Sequence, residues 1–185
     1  MFSIGHGNRT LDEFLELLKK HDIKYLIDVR SMPYSKFNSH FNQEALKNSL
    51  EQSNITYVFM GDSIGGRPAD KSCYDEEGKV DYDAIDEKEF YKKGIDRLKT
   101  AFNKDIPVAI MCSESKPTEC HRSKLIGRTL SREKIWLSHI DENGKLKDQM
   151  TVMNELTKGK SEVDLFGNAV SLTSRKSYQE DDDNS

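Results

Sequence analysis

The chain has 185 residues, of which 35% are hydrophobic and 32% charged, and a net charge of −4. That length allows one domain with a core of its own, and the polar balance predicts a modest core and some disordered residues. The lack of a basic surplus excludes broad, non-specific nucleic-acid binding; no run of ~18 apolar residues exists to span a membrane; and three cysteines without a signal segment predict no disulfide framework and a reducing, cytoplasmic setting.

Short apolar runs alternate with helical patterns, the signature of βα units around a mostly parallel sheet. Residues 2–4 read as a first strand. Thr10-Leu11-Asp12-Glu13 matches a capping box, with Thr10 as N-cap and Glu13 three positions into the helix. Leu11, Phe14, Leu15 and Leu18 follow at helical spacing. Residues 25–29 form a second strand, Asn42 can cap a second helix carrying Leu46 and Leu50, and residues 56–60 make a third strand rich in aromatic and β-branched side chains. Residues 61–86, with Gly65-Gly66, Pro68 and many charges, break the rhythm and predict an irregular insertion or lid. A helix over 87–103, a strand over 108–111, a helix from about Thr118 to Arg132 and a strand over 135–140 complete the pattern. Asn143-Gly144 predicts a small hairpin, and residues 151–156 a last short helix. The expected architecture is one α/β domain over 1–158, with about five strands flanked by helices. Residues 159–185 are read as a C-terminal extension whose acidic end is disordered and whose residues beyond Ser174 have little to bury.

In parallel α/β sheets, ligands bind outside the carboxyl ends of the strands. Every predicted strand delivers polar groups there. After the first come Gly5-His6-Gly7-Asn8-Arg9. The second ends in Asp28-Val29-Arg30, where Asp28 and Arg30 share a face. The fourth runs into Cys112-Ser113-Glu114, followed by Cys120-His121-Arg122, and the fifth reaches His139. His6 is suited to act as acid, base or ligand, but it can equally be a hydrogen-bonded turn residue. Arg30 can fork onto a carboxylate or phosphate; Asp28 can serve mainly to hold it.

With Thr118 as N-cap, Cys120, His121 and Arg122 would sit in a first helical turn, where the helix dipole favours an anion and lowers a thiol pKa. Against this, Cys112 and Cys120 can be small buried hydrophobes, and Cys73 has no partner pattern. Three specific chemistries are weighed. Cys112 and Arg122 are too far apart for the tight loop of a cysteine phosphatase. No Cys-x-x-Cys pair occurs, so Cys112, Cys120, His121 and His6 do not predict a structural zinc. A Cys112–Cys120 disulfide lacks thioredoxin spacing.

Ile4-Gly5-His6-Gly7-Asn8-Arg9-Thr10, Ile27-Asp28-Val29-Arg30-Ser31, and Met111-Cys112-Ser113-Glu114 leading to Cys120-His121-Arg122-Ser123 together resemble the domain of unknown function 488 family, from about Phe2 to Asp148. Gly7 stands where that family more often has serine. The resemblance implies an α/β domain with this polar edge and supplies no substrate. The Asp-Val-Arg strand end is also similar to rhodanese-like domains, by analogy alone.

The sequence therefore predicts an enzyme, a hydrolase or group transferase, acting on a phosphate-bearing small molecule such as a nucleotide or nucleic-acid component. His6, Cys112, Glu114, Cys120 and His121 are the candidate catalytic residues; Asn8, Arg9, Asp28, Arg30 and Arg122 are the candidate substrate-binding residues. No G-x-G-x-x-G is present, and neither a cofactor nor a metal is expected. The alternatives are a non-catalytic nucleotide- or anion-binding module, and a metal or thiol-redox protein using Cys112, Cys120 and His121.

Overall fold

The computed structural model describes residues 1–159 and 172–178. Its elements are β1 (Phe2–Gly5), α1 (Leu11–Lys20), β2 (Tyr25–Asp28), α2 (Gln43–Gln52), β3 (Thr56–Phe59), α3 (Gly61–Ile64), β4 (Lys79–Asp81), α4 (Tyr82–Asp86), α5 (Glu89–Asn103), β5 (Val108–Cys112), α6 (Arg128–Arg132), β6 (Ser138–Ile140), β7 (Leu146–Asp148), α7 (Gln149–Thr157) and β8 (Thr173–Ser177). Six strands form one sheet in the order β3-β2-β5-β1-β6-β7. All neighbours are parallel except β6 and β7, the hairpin expected at Asn143-Gly144. No helix among the described residues is long and apolar enough to cross a membrane.

Alternation along the strands sends side chains to two cores. Ile4, Leu26, Ala109 and Met111 pack under α1 and α2 with Phe14, Leu18, Phe41, Leu46 and Leu50. Ile27, Val29, Ile110 and Cys112 face the opposite layer, where Tyr91, Ile95 and Leu98 of α5 meet Leu125, Ile126 and Leu130. The α1 start is the capping box the sequence predicts: Glu13 N–H donates to the Thr10 hydroxyl, and Thr10 N–H to the Glu13 carboxylate.

Three segments differ from expectation. The insertion is more ordered than a loop: α3, a 3-10 turn at Lys71–Cys73, β4 and α4 all lie within it, and Cys73, Val80, Tyr82 and Ile85 join the core. The C-terminal extension returns as β8, antiparallel to β4, and Val80 N–H donates to the Ser174 hydroxyl. Residues beyond Ser174 therefore do bury surface, since Tyr178 packs against the core and beneath the Arg67 guanidinium; the acidic end at 179–185 lies outside the described residues. Finally, no helix starts at Thr118. Pro117–Glu119 is a 3-10 turn, Cys120 is extended, and a π-helical turn over Arg122–Gly127 precedes α6. The extended backbone of Cys120 breaks the turn that starts at Pro117, so helical structure resumes only after the Cys120-His121 pair.

Candidate functional site

β5 lies between β1 and β2, so the loops leaving these three strands converge at one carboxyl edge. A cavity of about 670 Å³ opens there, within the range of small-molecule sites. Its walls include His6, Gly7 and Asn8 after β1, Arg30 and Ser31 after β2, Cys112, Ser113 and Glu114 at the end of β5, and His121. The insertion and the C-terminal strand add Gly66, Arg67, Arg175, Lys176 and Tyr178.

Arg30 is held from behind. Its Nε donates to Asp28 Oδ1 at 2.9 Å and one terminal nitrogen donates to Asp28 Oδ2 at 2.6 Å and to the Phe41 carbonyl at 2.8 Å. The Tyr57 hydroxyl donates to the same carboxylate at 2.7 Å. Asp28 thus orients the arginine, and it is wholly buried. The other terminal nitrogen, Nη1, is buried and has no partner among the described residues. His6 shows the same pattern. Its ring stacks on Phe41 with centroids 4.4 Å apart, and Nδ1 donates to the Gly7 carbonyl at 2.9 Å, leaving Nε2 buried and without a partner among the described residues. Burial lowers the His6 pKa to about 4, so the neutral ring presents a bare Nε2 lone pair.

Cys112, Glu114, Cys120 and His121 gather beside the cavity, with one donor atom of each within 4.8 Å of the others, and all but Cys120 line it. Glu114 Oε2 lies 3.0 Å from Cys112 Sγ and 3.4 Å from Cys120 Sγ. His121 Nδ1 is 3.7 Å from both sulfurs, while His121 Nε2 sits 3.1 Å from the Val29 carbonyl. The two thiols are driven apart. Its hydrogen bond to Cys120, then burial and the nearby negative charges, raise Cys112 well above the ordinary thiol range. Burial opposes ionisation of Cys120 too, but the hydrogen bond from Cys112 and the charges of Arg122 and His121 outweigh it and hold the thiol well below that range.

Arg122 does not reach the cavity. It is wholly buried, with Nε donating to Cys120 Sγ at 3.2 Å and its terminal nitrogens to the Glu114 carbonyl at 2.6 Å and the Ser3 hydroxyl at 3.2 Å. Ser3 Oγ meets His139 Nδ1 at 2.6 Å, His139 Nε2 meets Gln149 Oε1 at 2.6 Å, and Gln149 donates to the Ser123 carbonyl. His139 is thus part of a buried chain in the sheet rather than of its edge. Arg9 is a staple, its guanidinium bonded to the carbonyls of Gly5 and Asp141. It lines a second hollow beside α1, and Asn8 is exposed between the two.

Gly5 explains why this edge needs glycine. A Cβ there would stand 1.8 Å from the Glu114 carbonyl oxygen and 2.9 Å from the Arg122 guanidinium. Gly66 is similarly required, since a Cβ would meet His121 Cγ and Nδ1 at 2.8 Å. The sequence reading missed Phe41, which backs both orphaned groups, and it missed the cationic rim. Arg67 follows a recognisable Gly-Gly pair, but nothing in Thr173-Ser174-Arg175-Lys176 marks a strand that returns to the site.

A family model described as Domain of unknown function DUF488 matches residues 10–129. That span is narrower than the expected one at both ends and leaves Gly5-His6-Gly7-Asn8 outside it. No curated protein and no solved structure matches the chain.

Proposed function

The chain belongs to the DUF488 family, and since that family brings no activity with it, we propose from the residues themselves that the chain is an enzyme, a hydrolase or group transferase, acting on a phosphate-bearing small molecule such as a nucleotide. One observation carries the reading: Arg30 Nη1 and His6 Nε2 are both buried, both unpartnered among the described residues, and both belong to residues that line the same cavity. An unbonded buried polar group costs about 1–3 kcal/mol, more when charged, so such a pair is best explained by a ligand that completes it. Arg30 takes an anionic oxygen. The His6 lone pair accepts a proton from a hydroxyl or water nearby.

The surroundings fit that ligand. Arg67, Arg175 and Lys176 make the rim cationic, although Arg175 already pairs with Glu119 at 2.7 Å. Met32 and Phe37 line the cavity with 61% and 90% of their surface exposed, an apolar lip on which a base could stack. Cys112, Glu114 and His121 line the same cavity and are the reactive groups of this reading.

The test is a panel of inorganic phosphate, pyrophosphate and nucleoside mono- to triphosphates, read by calorimetry and thermal melting, with turnover assayed in parallel. Nucleotides are expected to bind more tightly than phosphate. Arg30→Lys, which keeps a charge but loses the fork, should weaken every anion at least about tenfold, and Phe37→Ala should weaken only nucleotides. Anion binding that is unchanged in Arg30→Lys and in His6→Gln would remove the reading. Binding without turnover of any panel member would reduce it to a sensing module.

A further inference from the structure

The four clustered side chains Cys112, Glu114, Cys120 and His121 are arranged more specifically than a reactive surface needs. We propose that Cys112 Sγ, Glu114 Oε2, Cys120 Sγ and His121 Nδ1 form a site for one zinc ion. This goes beyond the anion reading and stands without it.

Tetrahedral zinc takes thiolates at about 2.3 Å and imidazole or carboxylate at about 2.0–2.2 Å, which sets the donors roughly 3.3–3.8 Å from one another. The sulfurs lie 3.7 Å from His121 Nδ1, and Cys120 Sγ lies 3.4 Å from Glu114 Oε2. The Cys112–Glu114 pair, at 3.0 Å, is the one that must open slightly. Orientation agrees with spacing. A carbonyl oxygen can only accept, so the 3.1 Å contact with Val29 keeps a proton on His121 Nε2 and leaves Nδ1, 3.7 Å from both sulfurs, as the ring atom that would ligate the ion. A ligating histidine is usually fixed by such a bond on its other nitrogen. Gly66 lets the insertion close directly against that ring. Arg122 donates to Cys120 Sγ from both its backbone N–H and its Nε.

Charge points the same way. Two thiolates and a carboxylate buried together are unfavourable alone, whereas a divalent cation and the Arg122 guanidinium bring the group to neutrality. Paired sulfur donors with imidazole select zinc over magnesium or calcium. The absence of Cys-x-x-Cys does not weigh against the site. The end of β5, the residue two beyond it and the Cys-His pair after the 3-10 turn supply the convergence that a zinc knuckle supplies elsewhere. Glu114 is the least buried of the four and lines the cavity, so the ion faces the ligand bound by Arg30, and its carboxylate is the donor that water or substrate can displace.

The experiment uses the full chain, stripped with chelator and refilled with Zn(II) or Co(II). Expected are one metal per chain, the visible bands of tetrahedral cobalt, and a thiolate-to-cobalt charge-transfer band. X-ray absorption of the zinc form should show two sulfurs at about 2.3 Å and two lighter donors at about 2.0–2.2 Å. Cys73→Ala should keep all of these. Cys120→Ser and His121→Gln should lose about a hundredfold or more in affinity. Should those variants fail to fold, the wild-type absorption spectrum decides alone. Failure of the folded wild type to take up zinc, or a first shell without sulfur, would overturn the site.

Discussion

The regions around Arg122 and Arg30 use the same residue type at nearly the same depth and leave opposite things unmet. Arg122 spends its bonds on Cys120, Glu114 and Ser3, and the chain continues through His139 and Gln149 to the Ser123 carbonyl. Arg30 is fixed by Asp28 and Phe41 and still keeps Nη1 unbonded among the described residues. A satisfied buried network rigidifies a fold. An incomplete one, lining a cavity, is what the proposed anion would complete. Depth of burial alone therefore does not separate a structural arginine from a binding one; the account of donors does.

The largest expected effect tests the satisfied side. Arg122→Met removes the donors to Ser3, Glu114 and Cys120 at once, and should cost about 3 kcal/mol or more of unfolding free energy, measured by urea denaturation. Arg30→Lys keeps a cation beside Asp28 and should cost distinctly less. If the lysine variant proves the more damaging, the comparison is inverted.

Two histidines sharpen it next. Burial lowers both His6 and His139 to about 4. A cation whose folded pKa lies below its unfolded value takes up protons on unfolding, so the stability it contributes is complete above about pH 6.5 and is lost as pH falls toward 4. Each should contribute about 3 kcal/mol to that acid loss. They should part when sulfate is added. His6 has a free nitrogen beside Arg30 and can gain from a bound anion, so its share of the acid loss should shrink, and His6→Gln should abolish that response. His139, bonded on both nitrogens, should not respond. Equal sulfate effects in His6→Gln and His139→Gln would erase the distinction.

The smallest effects lie at the rim. Ending the chain at residue 171 removes β8 with Arg175, Lys176 and Tyr178, and should lower both the melting temperature and nucleotide affinity. Tyr178→Ala removes the ring 4.0 Å beneath Arg67 and its packing against the core, a loss of about 1–2 kcal/mol. A truncated chain that melts and binds like the full one would show that the second sheet is not part of the site.

Much of this was legible beforehand because it is local. The Thr10–Glu13 box, the β6–β7 turn and the apolar strands each carry their instruction within a few residues, and strand order then brings His6, Arg30 and Cys112 to one edge. The unread parts depend on distant partners. Thr173-Ser174-Arg175-Lys176-Ser177 has no apolar period, and becomes a strand because β4 offers it an edge. The Cys-Glu-Cys-His grouping is set by the turn at Pro117 rather than by a sequence spacing. Arg122 and Arg30 look alike in the sequence, and only their neighbours show which of them has its donors satisfied.

The π-helical turn at Arg122–Gly127 sets a register. Such a turn holds one residue more than an α-helix needs over the same length. Deleting one residue within it would let a regular helix run into α6 while turning everything before it by about 100°. Cys120, His121 and Arg122 would swing away from their partners, while the hydrophobic contacts of Leu130 downstream would keep their places. The same deletion would draw the Arg122 guanidinium away from Ser3 and the Glu114 carbonyl, so one extra residue ties the sulfur-and-imidazole cluster and the buried arginine to a single register.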